Sequence, residues 1–157
     1  MPERVKPIPA GYHSVTPYLI IKGAAKALDF YRKAFGATEL FRMATPDGQV
    51  GHAEIMIGDS HVMLADEPDP TQMPGYKGPK SLGGTPVSLM IYIEDVDSVF
   101  ARSIGAGGKV MREVQDQFYG DRTGTFEDPF GHVWTVATHK EDLSPEEIER
   151  RAREMGH

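Results

Sequence analysis

At 157 residues, 39% hydrophobic and 25% charged, the chain is long enough for one domain with its own core or two small modules, and its composition excludes wholesale disorder. It contains no cysteine, which excludes a disulfide framework, a thiolate metal site and a cysteine nucleophile, and suits the reducing cytoplasm where the chain is expected. A formal net charge of −6 without a long Lys/Arg block argues against nucleic acid as main partner, and no apolar run approaches the roughly 20 residues that span a bilayer.

Residues 1–12 read as an N-terminal extension without the apolar core of a signal peptide. SVTPYLIIKG has the β-branched and aromatic content of a strand. AAKALDFYRKAFG follows as a helix beginning near Ala24, with Ala27, Leu28, Tyr31 and Phe35 at helical spacing and Gly36 placed to end it. TELFRMATPDGQV and GHAEIMIGDSHVMLAD then read as three strands, joined at Pro46, Asp47 and Gly48 and again at Gly58, Asp59 and Ser60. These elements make a first module of about residues 13–66. Residues 67–85, rich in Pro and Gly, read as a linker or long loop, of a length to cross to a partner chain or to lie over a cleft as a lid.

From Pro86 the order repeats. VSLMIYIED is a strand, VDSVFARSIGAGG a helix beginning near Val96, KVMREVQDQ a strand, and RTGTFEDPFGHVWTVATH a hairpin turning at residues 128–131. This second module spans about 86–139. Residues 140–157 form a surface helix, with Ser144 as N-cap, Pro145 in the first helical position and Glu146 and Glu147 in the first turn. The helix ends FYRKAFGA and FARSIGAG lie about 70 residues apart, as do GDSHVMLAD and PFGHVWTVAT, so the chain reads as one module written twice. The expected fold is α+β, with two repeated βαβββ modules forming a curved, mostly antiparallel sheet cleft.

That paired module, with ALDFYRKAFGA in its first helix and EDPFGHVW in its last hairpin, resembles the vicinal oxygen chelate superfamily of glyoxalase I, bleomycin-resistance proteins and extradiol dioxygenases. DQFYGDRTGTFEDPFGHVWTVATH looks most like its PhnB-like branch. The resemblance runs over residues 15–139 as a single domain of residues 13–139. It implies a cleft lined by both sheets, often completed in a homodimer, and, in metal-dependent members, one His or Glu/Gln ligand on each of four strands. Carried onto this chain, those positions fall on Thr16, Leu64, Ser88 (Pro86 if the register slips by two) and Thr135. Such side chains do not hold a divalent ion tightly, so no metal or other cofactor is expected there. The four are expected to cluster in the cleft, on the inward face with Tyr18, Val62, Met90 and Val133.

A different metal site is the runner-up. His52 and Glu54 alternate on one strand, and His13 precedes the first strand; together they would suit zinc, iron or manganese. The plainer reading has His52 hydrogen-bonded locally and Glu54 paired with an arginine. His61 and His132 read as structural residues beside equivalent turns, and His139 and His157 carry no evident chemistry. Residues 117–124, QFYGDRTG, hold the densest set of able groups: Gln117, Tyr119, Asp121 as a base, and Arg122 to grip a carboxylate or phosphate. The alternative there is a hairpin tightened by an Asp121–Arg122 or Arg122–Glu127 pair, with Tyr119 capping the core. Tyr18 and Tyr92 either stack on a planar ligand or belong to the core, and Trp134 faces the helix side. No phosphate-binding glycine loop or Gly-x-Ser-x-Gly turn is present.

Two functions stay open. One is a dimeric protein that binds a small organic molecule, anionic if Arg122 faces it, without the usual metal. The other is a lyase, isomerase or dioxygenase with a rearranged metal site, or a metal-free catalyst using Glu54, His52 or Asp121.

Overall fold

The computed structural model describes residues 4–157. In chain order the elements are β1 (Tyr18–Ile21), α1 (Ala24–Phe35), β2 (Thr38–Ala44), β3 (Val50–Ile57), β4 (Ser60–Asp66), α2 (Pro79–Leu82), β5 (Ser88–Tyr92), α3 (Val96–Gly105), β6 (Lys109–Asp116), β7 (Asp121–Glu127), β8 (Val133–His139) and α4 (Pro145–Glu154). The chain divides into two compact units, one ending at Gly83 and the next beginning at Gly84. Each holds a four-stranded mixed sheet, ordered β1-β4-β3-β2 in the first and β5-β8-β7-β6 in the second. This is the α+β arrangement expected, with helices beginning at Ala24 and Val96.

In the first unit β1 runs parallel to β4, and the other neighbours are antiparallel. Helix α1 buries Ala27, Leu28, Phe30, Tyr31 and Ala34, and Leu19, Ile21, Ala53, Ile55 and Leu64 of the sheet are buried with them. Its first amides are held by Asp66 at the end of β4. Oδ1 accepts from Gly23 at 3.0 Å and Ala24 at 2.9 Å, while Oδ2 accepts from Val50, the first residue of β3, at 2.8 Å. Helix start and strand register therefore share one carboxylate. The segment expected as a linker or long loop packs against this unit. Glu67 accepts from the Gly78 amide and the Ser81 hydroxyl, both at 2.8 Å, and a Cβ at Gly78 would stand 2.6 Å from the Ile20 carbonyl oxygen.

The second unit buries Val96, Val99 and Phe100 of α3 with Phe126, Trp134 and Val136. Trp134 therefore belongs to the core, as its strand parity predicts. The hairpin between β7 and β8 closes around Asp128, which accepts from the amides of Phe130 at 2.9 Å and His132 at 3.0 Å and from the Trp134 indole at 2.9 Å. Helix α4 buries none of its residues; Ser144 caps it by accepting from the Glu147 amide at 3.2 Å, and Arg151 ties it to Glu141 at 2.8 Å. Among the described residues no helix is long and apolar enough to cross a membrane.

Candidate functional site

Each sheet has one face on its helix and one open face, and register decides which side chains reach which. Tyr18 lies opposite Met63, and Met90 lies opposite Thr135. Adding 72 to the first pair gives the second, so Met63, not Leu64, is the counterpart of Thr135. Leu64 lies opposite Leu19, is 0% exposed and faces the core, as does Val62. The expectation for Leu64 and Val62 fails by a single residue, which in a strand reverses the face. Ser88, Met90, Val133 and Thr135 do share one face of the second sheet, where the Thr135 and Thr125 hydroxyls are 2.8 Å apart.

On the open face of the first sheet lies a groove of about 470 Å³, lined by Pro7, Ile8, Tyr12, His13, Thr16, Glu54 and Met63 among others. Glu54 is its polar centre. The Tyr12 hydroxyl donates to Oε2 at 2.6 Å, and His52 Nε2 lies 3.1 Å from Oε1. These two donors hold the Glu54 carboxyl below its ordinary pKa, and the same contact raises the Tyr12 phenol. His52 Nδ1 lies 2.8 Å from the Tyr18 hydroxyl, and an imidazole that donates to Glu54 through Nε2 alone would accept there. Burial, then Tyr76 and Glu54, raises the Tyr18 phenol. The Tyr12 ring stacks on His61 with centroids 3.7 Å apart and planes 16° from parallel, and His61 Nδ1 is buried without a hydrogen-bond partner.

The contacts of His52 and Glu54 match the plainer reading in part. His52 is bonded locally, and the partners of Glu54 are Tyr12 and His52 in place of an arginine. Both ring nitrogens of His52 are engaged, and among the described residues no three His, Cys, Asp or Glu side chains are placed to hold a metal ion. His13 lines the groove but does not join the other two in such a group. The side chains at the family's ligand positions in this unit are Thr16 and Met63, a donor set that does not fit a divalent ion.

Residues 117–124 are arranged otherwise than expected. Arg122 lies opposite Thr138, whose hydroxyl accepts from the first amide of α3, so it stands on the helix side of its sheet. There Arg122 donates twice to Asp97, at 2.8 and 2.9 Å, and once to Asp116 at 3.2 Å. Those carboxylates raise its pKa and take up the guanidinium, so it does not offer the open face an anion grip; neither Asp121 nor Glu127 is its partner. Gln117 donates to Thr123 at 3.0 Å, and the Tyr119 ring meets Phe118 edge-on at 5.3 Å. Asp121 is buried, accepting from Tyr92 at 2.8 Å and pairing with His139 Nδ1 at 2.7 Å. His139 also meets Asp142 at 2.7 Å, and the two carboxylates raise its pKa, Asp121 the more.

Sequence reasoning passed over Tyr12, His61, Met63 and His139. Strand parity carried a signal for three of them, because His61 and Met63 alternate on β4 and His139 alternates with Thr135 on β8. For Tyr12, inside an apparent extension, no local signal existed.

A family model described as Glyoxalase/Bleomycin resistance protein/Dioxygenase superfamily matches residues 12–136. The uncharacterized protein Mb0911c of Mycobacterium bovis is 42% identical over 145 residues, covering 91% of this chain and 94% of its own. Among solved structures, TioX from Micromonospora sp. ML1 is 26% identical with a TM-score of 0.65, over 81% of this chain and 98% of that one. A PhnB protein from Bacillus cereus, 18% identical with a TM-score of 0.62 over 80% and 99%, is alike in fold alone.

Proposed function

The chain belongs to the Glyoxalase/Bleomycin resistance protein/Dioxygenase superfamily, and on that premise we propose that it binds a small organic molecule in the groove beside Glu54. The observation that carries this reading is the Glu54 carboxyl, held by Tyr12 and His52, in a groove whose lining among the described residues includes no Lys or Arg. Such a site favours a ligand that donates, through an ammonium, amide or hydroxyl group, while Pro7, Ile8 and Met63 enclose its apolar body. The anion preference expected from Arg122 is withdrawn, because Asp97 and Asp116 occupy that side chain. A homodimer is part of the proposal. It is supported by β2, an edge strand exposed along its length and carrying Leu40, Phe41 and Met43, and light scattering would test it. The shared strand order and the 72-residue offset support descent from one repeated module, and the lack of cysteine suits a cytoplasmic setting.

A second reading rests on the chain from Tyr18 through His52 to Glu54. A carboxylate orienting an imidazole that accepts a proton from a hydroxyl is the arrangement of an acid–base relay, with Tyr18, 43% exposed, at its open end. Binding comes first in either case. Calorimetry with benzylamine and with benzoate, on the parent protein and Glu54→Gln, tests it. Benzylamine should bind and lose about tenfold or more in Glu54→Gln, the equivalent of a hydrogen bond to a charged group. Benzoate binding equally well, or an affinity indifferent to Glu54, would refute the reading.

A further inference from the structure

Tyr12 is an unusual occupant of the groove. Its ring lies flat on His61 and its hydroxyl donates to Glu54, yet residues 4–11, which deliver it, are exposed throughout. The backbone of this strap bonds within itself, Tyr12 N–H to the Pro9 carbonyl at 3.1 Å. Pairing with the sheet starts later, where Met63 N–H donates to the Pro17 carbonyl at 2.9 Å. Pro7 and Pro9 stiffen the strap, and Gly11, at φ 83, gives it a bend that other residues rarely adopt. A segment held chiefly through one side chain opens at low free-energy cost.

We propose that Tyr12 sits, from within the chain, in the seat of a ligand of phenolic type, an aromatic ring bearing a hydroxyl, and that such a ligand binds by displacing the strap of residues 7–12. The inference deepens the groove reading above and rests on it. Two features define the seat: a flat imidazole face and, one ring-length away, an ionised carboxylate that accepts. An aliphatic amine satisfies the second alone; a phenol satisfies both, as Tyr12 does.

Tyr12 fills this seat imperfectly. His61 Nδ1 stays buried and unpartnered beside it, so a ligand with a further polar edge gains a hydrogen bond that the strap cannot make. The groove beside Thr16 and Met63 is already open and gives the incoming molecule a first foothold. An internal occupant lowers apparent affinity by the fraction of time the seat is free, so binding is weaker in the parent protein than in one without Tyr12.

The probe is p-cresol, the free side chain of tyrosine, titrated at pH 7 by calorimetry and amide NMR. Tyr12→Ala should bind it at least about tenfold tighter than the parent protein, and adding Glu54→Gln should abolish the gain. In the parent protein, p-cresol should shift the Gly11 and Tyr12 amides and speed hydrogen exchange at Tyr12. No tightening in Tyr12→Ala, or a gain that survives Glu54→Gln, overturns the proposal. Should Tyr12→Ala fail to fold by circular dichroism, Tyr12→Phe carries the same test, with at least about threefold tightening, because it keeps the ring and loses the donor. Benzylamine binding that needs Glu54, with p-cresol indifferent to Tyr12, removes the strap proposal alone; failure of both probes removes the groove reading as well.

Discussion

Replacing Asp66 with alanine removes one carboxylate from three backbone amides at once, those of Gly23, Ala24 and Val50. Gly23 is exposed, so water takes over its bond at little loss. Ala24 and Val50 are 0% and 3% exposed, and their amides are left without an acceptor. Hydrogen bonds to a charged group contribute about 1.5 to 3 kcal/mol each, so the two buried amides give an expected loss of about 3 to 6 kcal/mol. Asp66→Asn should cost about half as much, because its oxygen can still serve the helix while its amino group faces the Val50 N–H. Against a typical domain stability of about 5 to 15 kcal/mol, the alanine variant leaves the first unit marginal. Urea titration followed by circular dichroism reads the loss, and hydrogen exchange at Ala24 and Val50 reports whether it falls where the bonds were. Because Val50 opens the strand that carries His52 and Glu54, benzylamine affinity should fall in parallel. A loss under about 1 kcal/mol for Asp66→Ala would refute the view that this side chain joins helix start to strand register.

Three further outcomes follow from the same contacts. The Tyr12–Glu54 bond needs an ionised carboxyl and a protonated phenol; Glu54 is lowered and Tyr12 raised, so the bond is lost as pH falls through the depressed Glu54 value or rises through the elevated Tyr12 value. The Tyr12 phenol should therefore ionise above the ordinary tyrosine value of about 10, read as the absorbance titration lost in Tyr12→Phe, and ionisation at or below that value would count against the arrangement. His139 has a raised pKa, so its contribution is complete below the ordinary histidine value of about 6.5 and is lost as pH rises through the folded value; thermal melts should show that slope, and His139→Gln should flatten it. Arg122→Ala should lower the urea midpoint through lost contacts to Asp97 and Asp116 while leaving benzylamine affinity within about twofold, and a loss of about tenfold would restore Arg122 to the ligand.

The fold is legible because its strands and the helices α1, α3 and α4 announce themselves locally, whereas the short α2 lies in a stretch that reads as a linker or loop. The turn residues Pro46 to Gly48, the helix stop at Gly36 and the alternation of VSLMIYIED all lie within a few positions of what they specify. The site depends on longer reach. Leu64 and Met63 are neighbours in the chain, and only the pairing with Tyr18 tells which of them faces out. Arg122 looks available in sequence because its acidic partner Asp97 lies 25 residues earlier, on a helix. Tyr12 is recognisable only through Glu54 and His61, which lie on two other strands. The His139–Asp121 pair, by contrast, lies within one hairpin, and strand parity would have exposed it.

The hairpin around Asp128 bears on how kinship is read in this superfamily. The stretch EDPFGHVW, one of those on which the family resemblance is read from sequence, ties one carboxylate to Phe130, His132 and Trp134, with Gly131 at φ 92 shaping the bend. Both carboxylate oxygens of Asp128 are committed to closing the turn. That stretch is thus a piece of joinery, and likeness in it speaks for how two strands are brought together, leaving the ligand to residues elsewhere.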